Sequence, residues 1–435
     1  MRRVAIVGAG PSGLFAAGQL ASQTEVEVAI DIFDRLPTPF GLLRYGVAPD
    51  HDSVKAVAKT LAQAFDHPNV RFFGLVEVGK QVSPTELLRC YDAVIYAYGA
   101  ELDRTLGIPG ESELDGSRSA REFVSWYSGH PDAHHQDLSA VRSAVVVGVG
   151  NVAVDVSRIL LKDPAELSVT DMPESVLNEL RATQIEHVWL VGRRGPEAAS
   201  FTNVELRELL GLDGVDTELI GADLSAIDTE SLERRAKANV ESIAKAIAEP
   251  TPGATRHLHL LFNHRPVEIT GDGSVSAVVF ESNVDGSRIE VPAELVLRSI
   301  GYYGVPLPGV PFSDGRILNL EGRVLDDDLS ARPGEYVTGW IKRGPSGLIG
   351  ANKKDSAETV ANLVADLATA PVRELADPDA LLAANGVRAS SLADWRRIDE
   401  AEIARGDLLG RERTKIEAWH ELLDLVFAEQ QATVG

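Results

Sequence analysis

The chain has 435 residues, a formal net charge of −23 and a single cysteine. This length allows two or three domains, and the excess of acid makes nucleic acid and anionic membrane poor partners. One cysteine excludes a redox cysteine pair and an iron–sulfur cluster held by the chain's own thiolates. No metal site is expected. No stretch is apolar enough to cross a bilayer, and the chain starts on a strand with no signal or transit segment, so cytoplasmic residence is expected.

The first element, Val4 to Gly13, is an apolar run that meets a glycine turn and opens a helix. Gly8 permits the tight strand-to-helix turn, Gly10 lets backbone approach a pyrophosphate, and Gly13 lets helix pack on strand. Free N–H groups at the helix start then face the phosphates. A strand over Val26–Phe33 ends at Asp34, about 20 residues past the glycines. A carboxylate there accepts both ribose hydroxyls and repels a 2′-phosphate, which fits FAD; an acidic turn residue is the plainer reading. Ser53–Phe65 predicts an amphipathic helix with Val54, Val57, Leu61 and Phe65 on one stripe. Val70–Phe73 predicts a strand, Cys90 is read as a small apolar filler, and Ala93–Tyr98 predicts a strand closing at Gly99.

The second glycine turn lies in Ala144–Ala153, with Gly148, Gly150, Asn151 and Val152 at the turn and Ala153 in the third glycine's place. Either turn alone is a weak signal, since an ordinary strand–turn–helix can carry two glycines. Two copies in the right context imply two dinucleotides, ordinarily FAD with NAD(P)H placed for hydride transfer. After a long insertion (163–185), the strand His187–Val191 ends in Gly192-Arg193-Arg194-Gly195 with no carboxylate. Two guanidiniums suit a 2′-phosphate and favour NADP(H) over NAD(H); a solvated arginine pair is the alternative. Asp272-Gly273 and Asp285-Gly286 mark a β meander over 266–270, 274–281 and 287–291. Leu295–Gly301 is a further strand ending on glycine. Glu335–Trp340 predicts a strand, Arg343–Gly350 a glycine-dense loop, and Lys354–Leu367 a helix. This last part has no fingerprint of its own and is expected to return and complete the first domain. The fold class is therefore α/β, with two Rossmann-like dinucleotide-binding domains built on parallel sheets plus a small meander. The expected boundaries are 1–103, 104–324 and 325–435.

Four segments together, Pro39–His51, Gly148–Asp155, Val191–Pro196 and Gly339–Gly350, resemble the adrenodoxin-reductase-type ferredoxin–NADP reductases, in order and over nearly the whole chain. The resemblance implies a glutathione-reductase-like architecture with an FAD domain in two segments (1–103, 325–435) and an inserted NADP(H) domain (104–324). It implies that Pro11, Ser12, Arg35, Gly41, Leu42, Leu43 and Val47 join the first glycine turn and Asp34 in holding FAD. Trp340, Gly347, Leu348 and Ile349 would line the flavin, with the following helix aiming its positive end at the flavin's N1–O2 edge. Trp340, Gly347 and Glu205 would also meet NADP, whose 2′-phosphate falls to Arg193 and Arg194. His51 and Glu205 would neighbour the nicotinamide, and Asp155 also matches the pattern. From the residues alone, the structural reading comes first: His51 as a cap or tether of the helix start and Glu205 as an ordinary helix glutamate. Tyr303 stands where relatives often carry Arg or Lys.

The implied activity is electron transfer from NADPH through FAD to a ferredoxin, one electron at a time, with supply of a cytochrome P450 system as one use. A general NADPH diaphorase, another flavin oxidoreductase, or a non-catalytic nucleotide sensor are the alternatives. Because ferredoxins are usually acidic, docking needs a local basic patch. Arg234, Arg235 and Lys237 supply a candidate, which reads otherwise as a solvated helix face.

Overall fold

The computed structural model describes residues 1–347 and 349–432. They form two compact units: the first contains Met1–Val47, His51–Leu102 and residues from Tyr302 onward, and the second Ala48–Asp50 and Asp103–Gly301. The second unit thus ends at Gly301, earlier than the expected boundary at 324. The reason is packing. Asn319–Leu320 and Arg323–Leu325 pair onto the first unit's sheet, and Val310, Ile317 and Val324 are buried beside Phe33, Tyr96 and Ile341.

The first unit's sheet runs Asn319–Leu320, Arg323–Leu325, Ala331–Val337, Ala93–Tyr96, Arg2–Val7, Val28–Phe33, Val70–Phe73. Its last five strands are mutually parallel, and the apolar runs of Arg2–Val7, Val28–Phe33 and Ala93–Tyr96 match strands buried on both faces. Val4, Ala5, Ile6, Ile30, Ile32, Val94 and Ile95 are all fully buried. The helix Pro11–Ser22 covers one face together with Ile349–Thr369, the Ser356 hydroxyl donating to the carbonyl of Ser12 at 2.9 Å. Residues from Tyr302 onward thus pack with the first glycine turn in one unit. The expected helix over Ser53–Phe65 is broken at Ala56 into Asp52–Lys55, Val57–Ala62 and a 3-10 turn. Leu61, Ala64 and Phe65 are buried, whereas Val54 and Val57 are only half-buried, so the first turn has little core to hold it in line.

The second unit carries an all-parallel sheet in the order Ser117–Ser119, Leu295–Arg298, Ser143–Val147, His187–Val191, Arg256–Leu261, Val215–Ile220. The meander follows its turn signals: His264–Asp272, Ser274–Ser282 and Arg288–Pro292 are antiparallel, and Gly273 has φ 72° in the first hairpin. Its apolar face covers one side of the sheet through Ile269, Val278, Phe280 and Val291. The long insertion folds as two short helices, Pro164–Leu167 and Glu174–Ala182. Cys90 is buried in the helix Pro84–Cys90, and that burial pushes its thiol up, away from the reactive thiolate.

Candidate functional site

In each unit the strand preceding the glycine turn lies centrally, with successive strands leaving on opposite sides. Nucleotides bind beyond the carboxyl ends of the strands at such a switch point. Gly8 follows Arg2–Val7 with φ 108°, and a Cβ there would lie 2.7 Å from the carbonyl oxygen of Ala97, beyond the strand on the other side. Gly148 follows Ser143–Val147 with φ 137°, and its Cβ would lie 2.1 Å from the oxygen of Ser299. The two turns are therefore closed by the same device. Gly10 and Gly150 differ from these: the nearest atoms to an added Cβ are 4.0 Å and 3.6 Å away. Their smallness leaves space at the turn instead of relieving contact within it.

Each open glycine is the N-cap of a helix, Pro11–Ser22 or Asn151–Leu161, and no side chain caps either one. Uncapped first-turn N–H groups over a cleared backbone are suited to a pyrophosphate. In the first unit the indole Nε1 of Trp340 is also buried, with no hydrogen-bond partner among the described residues. These features fit a dinucleotide in each unit, with a polar group still to be met near Trp340.

Asp34 is half-buried at the end of Val28–Phe33. Its carboxylate accepts from the backbone N–H of Ala9 at 2.8 Å and of Leu36 at 2.9 Å. It thereby braces the glycine turn. Burial pushes its pKa up to about 6, although those two N–H groups act in the opposite direction. Arg35 next to it lies 3.9 Å from Glu101. Gly41 packs on the turn so closely that a Cβ would lie 3.0 Å from the Cα of Gly10. Leu42 is exposed, Leu43 buried and Val47 half-buried. Trp340 begins the one-turn helix Trp340–Arg343, and its ring stacks 6.1 Å from that of Tyr302. The strand expected over Glu335–Trp340 instead spans Ala331–Val337, because the chain turns at Gly339 with φ 77°. Asp355 gathers this turn, accepting from the N–H of Gly339 and from Arg343 at 3.0 Å, with Lys342 at 2.9 Å. Sequence reading missed Asp355, whose helix position gives no sign of these bonds. Gly347 has φ 85°, and Ile349 opens the helix to Thr369; Leu348 lies outside the described residues.

In the second unit Arg193 and Arg194 follow His187–Val191 with their side chains exposed, and no ion partner engages either among the described residues. Their carbonyls are fixed by Asn283 at 2.6 Å and by the N–H of Asn263 at 3.1 Å. The Asn151 side chain accepts from the N–H of Thr202 at 2.8 Å, and Ser200 and Phe201 donate to the carbonyl of Val149. This draws the start of Asn203–Leu210 onto the second glycine turn. Glu205, in the first turn of that helix, is half-buried, and its Oε2 has no hydrogen-bond partner among the described residues. Val152 is half-buried in the helix that the turn opens.

His51 caps Asp52–Lys55 through its main chain, without a side-chain capping bond, and belongs to the first unit while Glu205 belongs to the second. The preceding Asp50 is held by Arg158, which is almost fully buried, and by Lys162 at 2.9 Å. Burial alone would raise the Asp50 pKa, but these two cations outweigh it and hold the carboxyl well below the usual range. Asp155, 3.3 Å from Arg158, belongs to the same cluster. No motif pointed to Arg158 or Lys162.

Comparison with known proteins accords with this geometry. Residues 2–189 match the family model described as pyridine nucleotide-disulphide oxidoreductase. The single buried cysteine leaves this chain without a disulfide centre of its own. NADPH-ferredoxin reductase FprA of Mycobacterium leprae is 43% identical over 97% of this chain and 98% of its own. The mitochondrial NADPH:adrenodoxin oxidoreductase of Homo sapiens is 40% identical over 98% of this chain and 92% of its own. The structure of Mycobacterium tuberculosis FprA in complex with NADPH superposes with a TM-score of 0.92 at 42% identity, covering 98% of this chain and 99% of that one. Among the described residues no helix is long and apolar enough to cross a membrane.

Proposed function

The chain belongs to the adrenodoxin-reductase-type NADPH–ferredoxin reductases, and on that premise we propose that it is an FAD-dependent enzyme drawing electrons from NADPH and delivering them to a ferredoxin. FAD supplies the exchange between a hydride and the single electrons that an iron–sulfur protein accepts. The observation that carries this reading is the pair of open glycine turns on uncapped helix starts, one backed by Asp34 and the other by unengaged Arg193 and Arg194.

In this reading Gly8 to Gly13, including Pro11 and Ser12, hold the FAD pyrophosphate and Asp34 its ribose. Gly41 to Leu43, Arg35 and Val47 close over that nucleotide, and Trp340, Gly347 and Ile349 line the flavin. Gly148, Gly150, Asn151 and Val152 hold the NADPH pyrophosphate, and the two arginines its 2′-phosphate. Trp340 and Gly347 also meet the nicotinamide end. His51 and Glu205 hold the nicotinamide and manage protons at the imidazole and carboxylate. The unpartnered Oε2 of Glu205 has an acceptor to offer. Cytoplasmic residence completes the proposal.

The test is anaerobic mixing with NADPH followed by ferredoxin-dependent reduction of cytochrome c. Bleaching of the visible flavin band and a rate that rises with ferredoxin are expected. A protein that binds both nucleotides without bleaching is a sensor, and bleaching with no response to ferredoxin marks a general diaphorase.

A finer part of the proposal concerns docking. Arg234 and Arg235 are exposed at the first turn of Arg234–Ala248, whereas Lys237 is taken by Glu230. Cations at a helix N-terminus oppose its dipole. A local rule broken with no structural return points to use elsewhere, here contact with an acidic ferredoxin. Reversing both charges is expected to raise the KM for ferredoxin by about tenfold while dye reduction is unchanged. Equal KM values would remove the patch from the proposal.

Asp34 gives a pH prediction. Its raised folded pKa means that the apoprotein keeps a proton that the unfolded chain has released, so its contribution to apoprotein stability is full below 3.8 and lost as pH rises through about 6. FAD needs the ionised acceptor, so FAD binding to deflavinated protein should strengthen by about tenfold between pH 5 and pH 7. Fluorescence titration of the apoprotein reads this, and Asp34→Asn should flatten the profile. A wild-type profile already flat over that range would exclude Asp34 as the ribose acceptor.

A further inference from the structure

The loop after the first glycine turn holds a charge in an apolar setting. Arg44 lies in the one-turn helix Leu42–Tyr45 with its side chain 5% exposed, and it is paired with Glu402, whose side chain is fully buried. Glu402 sits on the helix Leu392–Leu408 and also accepts from the N–H of Ile416 at 2.9 Å. Lys415, itself buried, donates to the carbonyl of Arg44 at 2.7 Å. The Arg44 guanidinium lies 5.1 Å from the Trp395 ring and 4.9 Å from that of Tyr45. The Trp395 ring in turn meets the Phe40 ring edge-on at 6.0 Å.

This cluster acts on a strained piece of backbone. Phe40 has φ 83°, a left-handed conformation that a side-chain-bearing residue adopts only when its surroundings enforce it. Gly41 follows with φ 49°. The N–H of Phe40 donates to the carbonyl of Ala9 at 2.8 Å, and Gly41 lies against Gly10. The strained pair thus rests on the phosphate-binding turn, and its geometry is held from the far side by Arg44, Glu402, Lys415 and Trp395.

We propose that Arg44, Glu402 and Lys415 form a clamp through which the C-terminal helices impose the Phe40–Gly41 conformation, and so are positioning residues for FAD at the first glycine turn. This rests on the FAD reading above. A buried ion pair is weak evidence for stability, since apolar side chains of similar size often replace one without loss. Its retention here is accounted for by the direction the charge imposes on the loop.

The test uses the holoprotein and measures FAD release by recovery of flavin fluorescence after dilution, with thermal unfolding alongside. Glu402→Gln keeps the shape and removes one charge, and the double variant Arg44→Met/Glu402→Gln removes both charges while keeping an acceptor for the Ile416 N–H. Lys415→Met is a milder third change. The clamp predicts that the double variant regains the unfolding temperature yet releases FAD at least about tenfold faster than the wild type. Lys415→Met should move the same way by a smaller factor. If Glu402→Gln does not fold, the other two variants decide. Release at the wild-type rate from either folded variant overturns the clamp and leaves the pair with a packing role alone. A wild-type protein that refuses FAD refutes the flavoprotein reading instead, so the two failures are distinguishable.

Discussion

Replacing Arg193 and Arg194 together by alanine should lower kcat/KM for NADPH by about 10²-fold and leave NADH turnover within about twofold. A hydrogen bond to a charged group contributes roughly 1.5–3 kcal/mol, and two at the low end give about 3 kcal/mol, or about 10²-fold. The low end applies because both side chains are exposed and solvent screens them. Among the described residues neither guanidinium engages a carboxylate, so the substitution breaks no ion pair there and should leave the unfolding temperature in place. The loss should appear in KM, because the adenosine phosphate is remote from the transferred hydride and binds ground and transition states alike. Steady-state kinetics with both nucleotides are the measurement. Equal losses for NADPH and NADH would mean that the arginines do not read the 2′-phosphate.

The second large effect separates two glycines three residues apart. Gly13→Ala should abolish a folded, FAD-loaded protein. Its Cβ would lie 2.0 Å from the carbonyl oxygen of Gly8, in a buried turn whose backbone cannot yield. Overpacking typically costs about 1–3 kcal/mol and occasionally more, and a collision with main chain belongs at or above the top of that range. Gly10→Ala meets nothing closer than 4.0 Å. That variant should fold and melt within a few degrees of the wild type, yet bind FAD about tenfold more weakly or worse, because the methyl would enter the space that the proposed function gives to phosphate. Calorimetry and flavin titration on both variants decide. Tight FAD binding by folded Gly10→Ala would place the pyrophosphate elsewhere.

What the sequence reveals here tracks how local the cause is. The two strand–glycine–helix units, the meander and its Asp-Gly turns are set by neighbouring residues, and they stand where patterning puts them. The break at Ala56 and the early return at Tyr302 were illegible because each depends on what packs against the segment. Site residues divide in the same way. The tight turns at Gly8 and Gly148 are legible from spacing alone, and so is the position of Arg193 and Arg194 at a strand end. The position of Asp34 at a strand end shows in the sequence, whereas its hydrogen bond to Ala9 shows only in three dimensions. Arg44 with Glu402, and Asp50 with Arg158, join residues 358 and 108 positions apart, a separation at which no periodicity operates. A single charge inside an apolar motif, such as Arg44 among Leu42, Leu43 and Tyr45, was the only available hint.

The brief excursion of Ala48–Asp50 into the second unit bears on modular inheritance. A gene fragment spanning 103–301 looks like a portable cassette, but it leaves behind the carboxylate that Arg158 and Lys162 share. Transplanted alone, the cassette would keep Asp155 and Glu208 near Arg158 and Glu166 near Lys162, but lose the one carboxylate that both cations share. A graft that preserves this shared ion pair must bring Ala48–Asp50 along with 103–301.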